Sequence, residues 1–297
     1  MFIDLAKYLR DTPHAYLPKL VVLENVLGLV ARGKNGSPID FVMSGLMREN
    51  GKTQKIGLSF NTNYHVMQPV KLTSKQLGLP MRRARVFIIM VRRDMLSSVQ
   101  CQNIQANIKL AEANPIETAS IDSLLDDADV EEERDRCGQK KARLSMRPKS
   151  SQQAALFRLE NDLPPFSRRR VVAWLDENPD KFTLRELEVL DTALLLSERA
   201  KGAVPPELVV DVSQGVSRGA FKHDGCVMSF HKGMRLLHKG KLLGVTSCFN
   251  LMGWPKNEVI IPEDLSSKAA VWDMLGNMVA TPVIGIVLAC CLWEIVF

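Results

Sequence analysis

Leu20-Val-Val-Leu-Glu24-Asn25-Val26, continued by Leu27-Gly-Leu29, is a short apolar, β-branched run closed by two polar residues. Such a run suits a strand covered on both faces in a parallel sheet, and it puts Glu24 at the strand's carboxyl end. Open α/β sheets receive their ligands along that edge. A glutamate placed there can hold or deliver a proton to a bound ring. Taken alone, Glu24-Asn25 serves equally well as the polar pair that ends a strand.

Working outward, the next landmark is Gln76-Leu-Gly-Leu-Pro80-Met-Arg-Arg83-Ala-Arg85-Val-Phe-Ile-Ile-Met-Val91, a loop that carries arginines into a second buried strand. Alternate residues of an extended chain point to one side, so Arg83 and Arg85 are expected to share a face at the strand's entry. Planar guanidinium forks suit phosphates and base edges, while a solvated basic turn is the plainer account.

The first lobe alternates helix and strand. Phe2 to Arg10 has helical spacing, Ile39 to Asn50 reads as an amphipathic helix, and Tyr64 to Leu72 and Val86 to Val91 read as strands, a βαβ-like order. The loop Ala31 to Pro38 holds glycines but no phosphate-binding fingerprint. Further on, the acidic run Asp122 to Asp135 and the basic stretch Lys140 to Gln153 read as solvated linker. Phe182 to Ala200 carries a clear apolar stripe and reads as a helix. Arg168-Arg169-Arg170 reads as an exposed face, or as a phosphate contact that positions a duplex without reading its sequence.

Composition sets the limits. At 297 residues with 46% hydrophobic content, the chain can bury a sizeable core and divide into two lobes. A net charge of +6 and a pI near 9.0 permit a polyanionic partner without requiring one. The six cysteines show no metal-binding spacing, and His223, Cys226 and His231 are wrongly spaced for a metal or a nucleophile, so no metal is expected. Adjacent Cys290-Cys291 read as small buried hydrophobes in a reducing compartment. Met278 to Phe297 approaches membrane-spanning length, but Pro282 and Glu294 favour a buried terminal helix packed on the sheet, and no membrane partner is expected. No secretory signal opens the chain.

A third stretch, Leu275-Gly-Asn277-Met-Val279-Ala-Thr-Pro282-Val283, completes a pattern. Glu-Asn-Val after an apolar strand, Gly-Leu-Pro and Arg-x-Arg before another, and Gly-Asn-x-Val-x-x-Pro-Val near the end resemble, in that order, motifs VI, VIII and X of the cytosine-5 DNA methyltransferase family. Met1 to Arg10 looks like the helix of motif V, and Leu251-Met-Gly-Trp-Pro255 like the end of motif IX. The stretch from about Asp94 to Pro205 matches only as a variable region. The fold implied is α/β: an incomplete Rossmann-like methyltransferase sheet with a smaller target-recognition lobe. Residues 1–96 would be catalytic, 97–155 a variable insertion, 156–240 the target-recognition region, and 241–297 the return to the catalytic part.

The resemblance also implies a chemistry. A cysteine thiolate adds to carbon 6 of a cytosine flipped out of double-stranded DNA, and carbon 5 then takes a methyl group from S-adenosylmethionine. Glu24 matches the glutamate that engages ring N3 and the exocyclic amine, and Asn25 the residue that orders the same loop. Arg83 and Arg85 match the pair that steadies the flipped base, with Met81 in place of the usual glutamine. Asn277 and Val279 match contacts to the cofactor. The family's arginine near Lys241 and glutamate in the following helix have no counterpart in Gly244-Val-Thr-Ser-Cys-Phe249.

The departures matter as much as the matches. No Pro-Cys dipeptide, no Phe-x-Gly-x-Gly loop and no ribose-holding acid in family position occur in the 297 residues. The expectation is a truncated form, inactive alone, whose missing amino-terminal half or partner chain supplies the nucleophile. A non-catalytic nucleic-acid-binding remnant and a tRNA-directed relative stay open. Free thiols fit a reducing compartment, and the resemblance implies the nucleus if the source is a eukaryote, otherwise the cytoplasm.

Overall fold

The computed structural model describes residues 8–9, 11–31, 37–39, 46–49, 52–55, 63–125, 148–176, 178–206, 208–216, 230, 235–255, 258 and 268–296. In chain order the strands are β1 (Leu20–Asn25), β2 (Leu46–Glu49), β3 (Lys52–Lys55), β4 (Tyr64–Val66), β5 (Val70–Thr73), β6 (Ala84–Arg92), β7 (Val209–Asp211), β8 (Leu236–His238) and β9 (Lys241–Leu242). The helices are α1 (Ser98–Ala113), α2 (Ile121–Leu124), α3 (Pro148–Glu160), α4 (Arg168–Trp174), α5 (Leu184–Lys201), α6 (Val245–Leu251), α7 (Lys268–Asn277) and α8 (Thr281–Val296). The chain forms two compact units, one of residues 1–77, 84–116 and 282–297, the other of 78–83 and 117–281.

In the first unit, β6 is the centre of a sheet. Residues 86 to 92 are all buried, and the strand is flanked by β1 on one side and by β4 and β5 on the other. Every pairing in this sheet is antiparallel, including β1 with β6. This corrects the expected parallel, βαβ-like arrangement. An unbroken apolar run reports burial on both faces and carries no information about strand direction. β1 itself is half-buried along its whole length rather than enclosed.

The other side of β6 shows a second departure. The expected single strand from Tyr64 to Leu72 is two strands along one line, out of step by a residue: Val66 faces Met90 and Val70 faces Phe87, four steps against three. Pro69, which has no N–H for the ladder, lies in the gap, and the extra residue makes a β-bulge. Tyr64 and Val66 therefore join Ile88, Met90, Val21, Leu23 and Leu29 on one face of the sheet. Val70 and Leu72 lie on the opposite face with Phe87 and Arg85.

α1 packs on β5. Its start is fixed by a capping box in which Ser97 and Gln100 satisfy each other's free backbone amides. α8 packs along α1: Gln100 Nε2 donates to the Glu294 carbonyl at 3.3 Å and Asn103 Nδ2 to the Glu294 carboxylate at 3.5 Å. The terminal helix thus lies on a helix, where the sequence suggested a sheet. Among the described residues no single helix is long and apolar enough to cross a membrane, and α7 and α8 meet that test only as a pair bent by 44°.

Two sequence-based expectations fail for local reasons. The helix expected over Ile39 to Asn50 gives way at Leu46–Glu49, which pairs with Lys52–Lys55. The intervening Asn50-Gly51 is the strongest two-residue hairpin signal, and it outweighs helical periodicity. The linker expected through Gln153 ends earlier, because Pro148–Glu160 is helical and buries Ala154 beside Val189 of α5. Most of the acidic and basic runs, the segment His223 to Ser229 and His231 lie outside the described residues.

The second unit is built on α5. Thr183 and Glu186 cap its start reciprocally, and Gly202, at φ 76°, ends it in the left-handed conformation that favours glycine. Leu187, Leu190 and Leu194 pack with Val171, Val210, Leu237 and Leu242, joining α4, α5 and the β7–β8–β9 sheet in one core. A buried ion cluster accompanies it. Asp191, fully buried, accepts from Arg158 Nη2 at 2.9 Å and Arg170 Nη1 at 2.6 Å, and from the Ser167 amide. Of the three arginines read as one exposed face, Arg170 is thus held inward, while Arg168 pairs with Asp180 at the surface.

Candidate functional site

Glu24 is the fifth residue of β1 and stands opposite Phe87 of the buried strand β6. Side chains two apart on neighbouring strands can meet diagonally on one face. Arg85 uses this: its Nε lies 2.5 Å from Glu24 Oε1, with the two side chains 13% and 26% exposed. The contact is an ion pair without a directed hydrogen bond. Oε1 is buried and has no hydrogen-bond donor aimed at it among the described residues, while Arg85 Nη1 donates to the Ala84 carbonyl at 2.9 Å. A carboxylate oxygen is thus held beside a positive charge with its acceptor capacity unspent.

Asn25 follows on the strand. Its Oδ1 accepts from the Val26 amide at 2.8 Å, which fixes the turn into the 3-10 segment Leu27–Val30. Val26 and Leu27 are exposed beside Asn25.

Arg83 does something different from Arg85. It belongs to the Gly78–Arg83 loop of the second unit, is 1% exposed, and donates from Nη2 to the Gly276 carbonyl at 2.5 Å. The two arginines therefore engage different partners. Met81 is fully buried in the same loop, and Gly78, at φ 86°, opens it. Gly276 opens the Gly-Asn-x-Val stretch, but no role of its own was expected of it. Its role shows in the packing: a Cβ there would stand 2.8 Å from the Phe230 carbonyl oxygen, so only glycine fits. Phe230 in turn rests its ring near Trp272, with centroids 6.3 Å apart.

Asn277 and Val279 end this segment. Asn277 is exposed, and its Nδ2 donates to the Asp273 carbonyl at 2.8 Å, closing the last turn of α7. Val279 is half-buried. With the Asn277 amide turned back on its own helix, these two residues do not by themselves make a cofactor site.

The described cysteines are poor nucleophiles. Cys101, Cys248, Cys290 and Cys291 are free and buried. Burial pushes the thiols of Cys101 and Cys290 up, and that of Cys291 up to about 12, the neighbouring Cys290 and Cys101 adding to the effect. A thiol so shifted carries almost no thiolate at neutral pH. No group of three or more His, Cys, Asp or Glu residues among those described could hold a metal ion.

A family model described as C-5 cytosine-specific DNA methylase matches residues 1–292. No curated protein matches the chain.

Proposed function

We propose that this chain, which belongs to the C-5 cytosine-specific DNA methylase family, holds a cytosine flipped out of duplex DNA through Glu24 and Arg85. The observation that carries this reading is the Glu24 carboxylate held by Arg85 at the end of β1, its buried Oε1 in that ion pair without a directed hydrogen bond among the described residues. A cytosine ring presents N4–H and, when protonated, N3–H as adjacent donors, which a carboxylate accepts. As a nucleophile adds to carbon 6, electron density accumulates on the ring, and a preplaced Glu24 engaging N3 offsets it. Arg85 holds that carboxylate in place. Asn25 fixes the turn beside it, and Arg83, tied to Gly276, stiffens its own loop.

S-adenosylmethionine is the family's methyl donor and supplies the methyl group when bound. Asn277 and Val279 are the residues proposed to contact it. The nucleophile is likewise proposed to lie outside the described residues: the sequence holds no Pro-Cys dipeptide, and the described thiols are buried. Double-stranded DNA is the proposed partner, joined by a second polypeptide or segment that carries the thiolate. The proposed place of action is a reducing compartment, the nucleus or the cytoplasm.

The test is a duplex with 2-aminopurine beside a target cytosine, titrated with the chain. Flipping raises the fluorescence, and Glu24→Gln lowers the flipped-state signal by about tenfold, the worth of one charge-assisted hydrogen bond. Equal signals from wild type and variant would remove Glu24 from the base site. The chain alone gives no turnover, and covalent trapping by 5-fluorocytosine DNA would overturn that part of the reading.

A further inference from the structure

His238 ends β8 and is 2% exposed. Its Nδ1 lies 3.0 Å from the Leu208 carbonyl and its Nε2 3.0 Å from Asp122 Oδ1. A carbonyl and a carboxylate are both acceptors, so the two bonds form together only when both ring nitrogens carry protons. The second Asp122 oxygen takes the Lys239 ammonium at 2.5 Å. Among the described residues, its partner on β7 is Val209, and its partner on β9, Lys241, sends its ammonium to Asp176 at 3.5 Å.

Asp122 sits in α2, a single turn anchored by buried Ile121. Just before it, the Ala119 amide donates to the Gly78 carbonyl at 2.8 Å, at the root of the loop that carries Met81 and Arg83. The contacts run unbroken from His238 through Asp122 to that loop, all within the second unit.

We propose that His238, Asp122 and Lys239 form a protonation-sensitive clasp that holds α2, and through Ala119 the Gly78–Arg83 loop, against the β8–β9 turn. With the imidazolium the clasp is closed. Loss of a ring proton leaves one nitrogen lone pair facing an acceptor, the Leu208 carbonyl or the Asp122 carboxylate, removes the imidazolium charge beside Asp122, and loosens α2. Histidine is the side chain whose ordinary titration falls in the physiological range. His238 acts as a positioning residue, and this inference does not depend on what binds at Glu24.

The experiment uses the full chain. Amide hydrogen exchange of residues 78–83 and 119–125 is followed between about pH 5 and pH 9, corrected for intrinsic exchange, alongside the His238 ring nitrogen shifts, since that range brackets histidine titration. The expected result is a doubly protonated ring at the acid end and protection in both segments that falls about three- to tenfold as the ring loses a proton, the worth of a part-exposed charge pair. Asp122→Asn, at a half-exposed position, lowers that protection at acid pH and flattens its pH dependence. A ring that is neutral throughout, or protection whose pH profile is the same in wild type and Asp122→Asn, overturns the clasp.

Discussion

Glu24 and Arg85 meet across antiparallel strands on a diagonal: Glu24 faces Phe87, and the guanidinium 2.5 Å from its Oε1 comes from two residues before Phe87 on β6. Removing the cation leaves a half-buried carboxylate without its partner. Arg85→Ala is therefore expected to lower stability by about 1–2 kcal/mol, toward the lower end for orphaned charged groups because the pair is part-solvated. Glu24→Gln takes the counter-charge from the guanidinium, the more buried partner, and is expected to cost a similar amount, about 1–2 kcal/mol. Urea titration of both variants checks the two values.

Gly276 tolerates nothing larger. Its carbonyl receives Arg83, and its bare Cα admits the Phe230 carbonyl. In Gly276→Ala the new methyl meets backbone oxygen, which cannot swing aside as a side chain would. The expected cost is about 1–3 kcal/mol, in the range of other overpacked sites. Exchange of the Met81 and Arg83 amides should rise in the same variant, because their anchor has moved. Unchanged exchange in a destabilised protein would separate the packing from the arginine contact.

Asn250 is fully buried, yet neither side-chain polar atom has a hydrogen-bond partner among the described residues. Replacing such an amide by an apolar group of similar size removes a desolvation penalty and breaks no bond. Asn250→Leu should accordingly be neutral or stabilising by about 1 kcal/mol. A loss of stability on denaturant unfolding would mean that a buried water or another group satisfies the amide.

The raised thiols of Cys101, Cys290 and Cys291 make alkaline pH destabilising. Their folded-state values lie above the unfolded one, so the folded protein keeps protons that the unfolded chain releases. Their contribution is present below about pH 8.5, the ordinary thiol value, and is lost as pH rises from there toward the folded values, the highest of which is about 12. Thermal unfolding across that range should show a falling midpoint. A thiol reagent at pH 8 should leave these three untouched until denaturant is added.

Much of this was legible in the residues. The apolar run Val86 to Val91 announced the central strand, Thr183 and Glu186 the start of α5, and Glu-Asn-Val with Arg-x-Arg the family. Strand direction was not, because burial on both faces looks the same in parallel and antiparallel sheets. The split of Arg83 from Arg85 was hidden as well: local alternation describes an extended chain, and Arg83 takes its partner 193 positions away in sequence. Gly276 could have been found only by knowing that Phe230 approaches it. The hairpin at Asn50-Gly51 was written in the sequence and was outvoted by a periodicity that did not persist.

The one-residue slip between β4 and β5 has a consequence for how this protein can change. Tyr64, Val66, Val70 and Leu72 are all even-numbered, yet the first two feed one side of the sheet and the last two the other. The bulge works as a change of reading frame within a single edge. Substitutions at Met67, Gln68 or Pro69 keep that frame. Loss of one residue there sets three steps against three, so the alternation becomes uniform with both pairs still in their layers, and the extra residue is one that the ladder itself does not need.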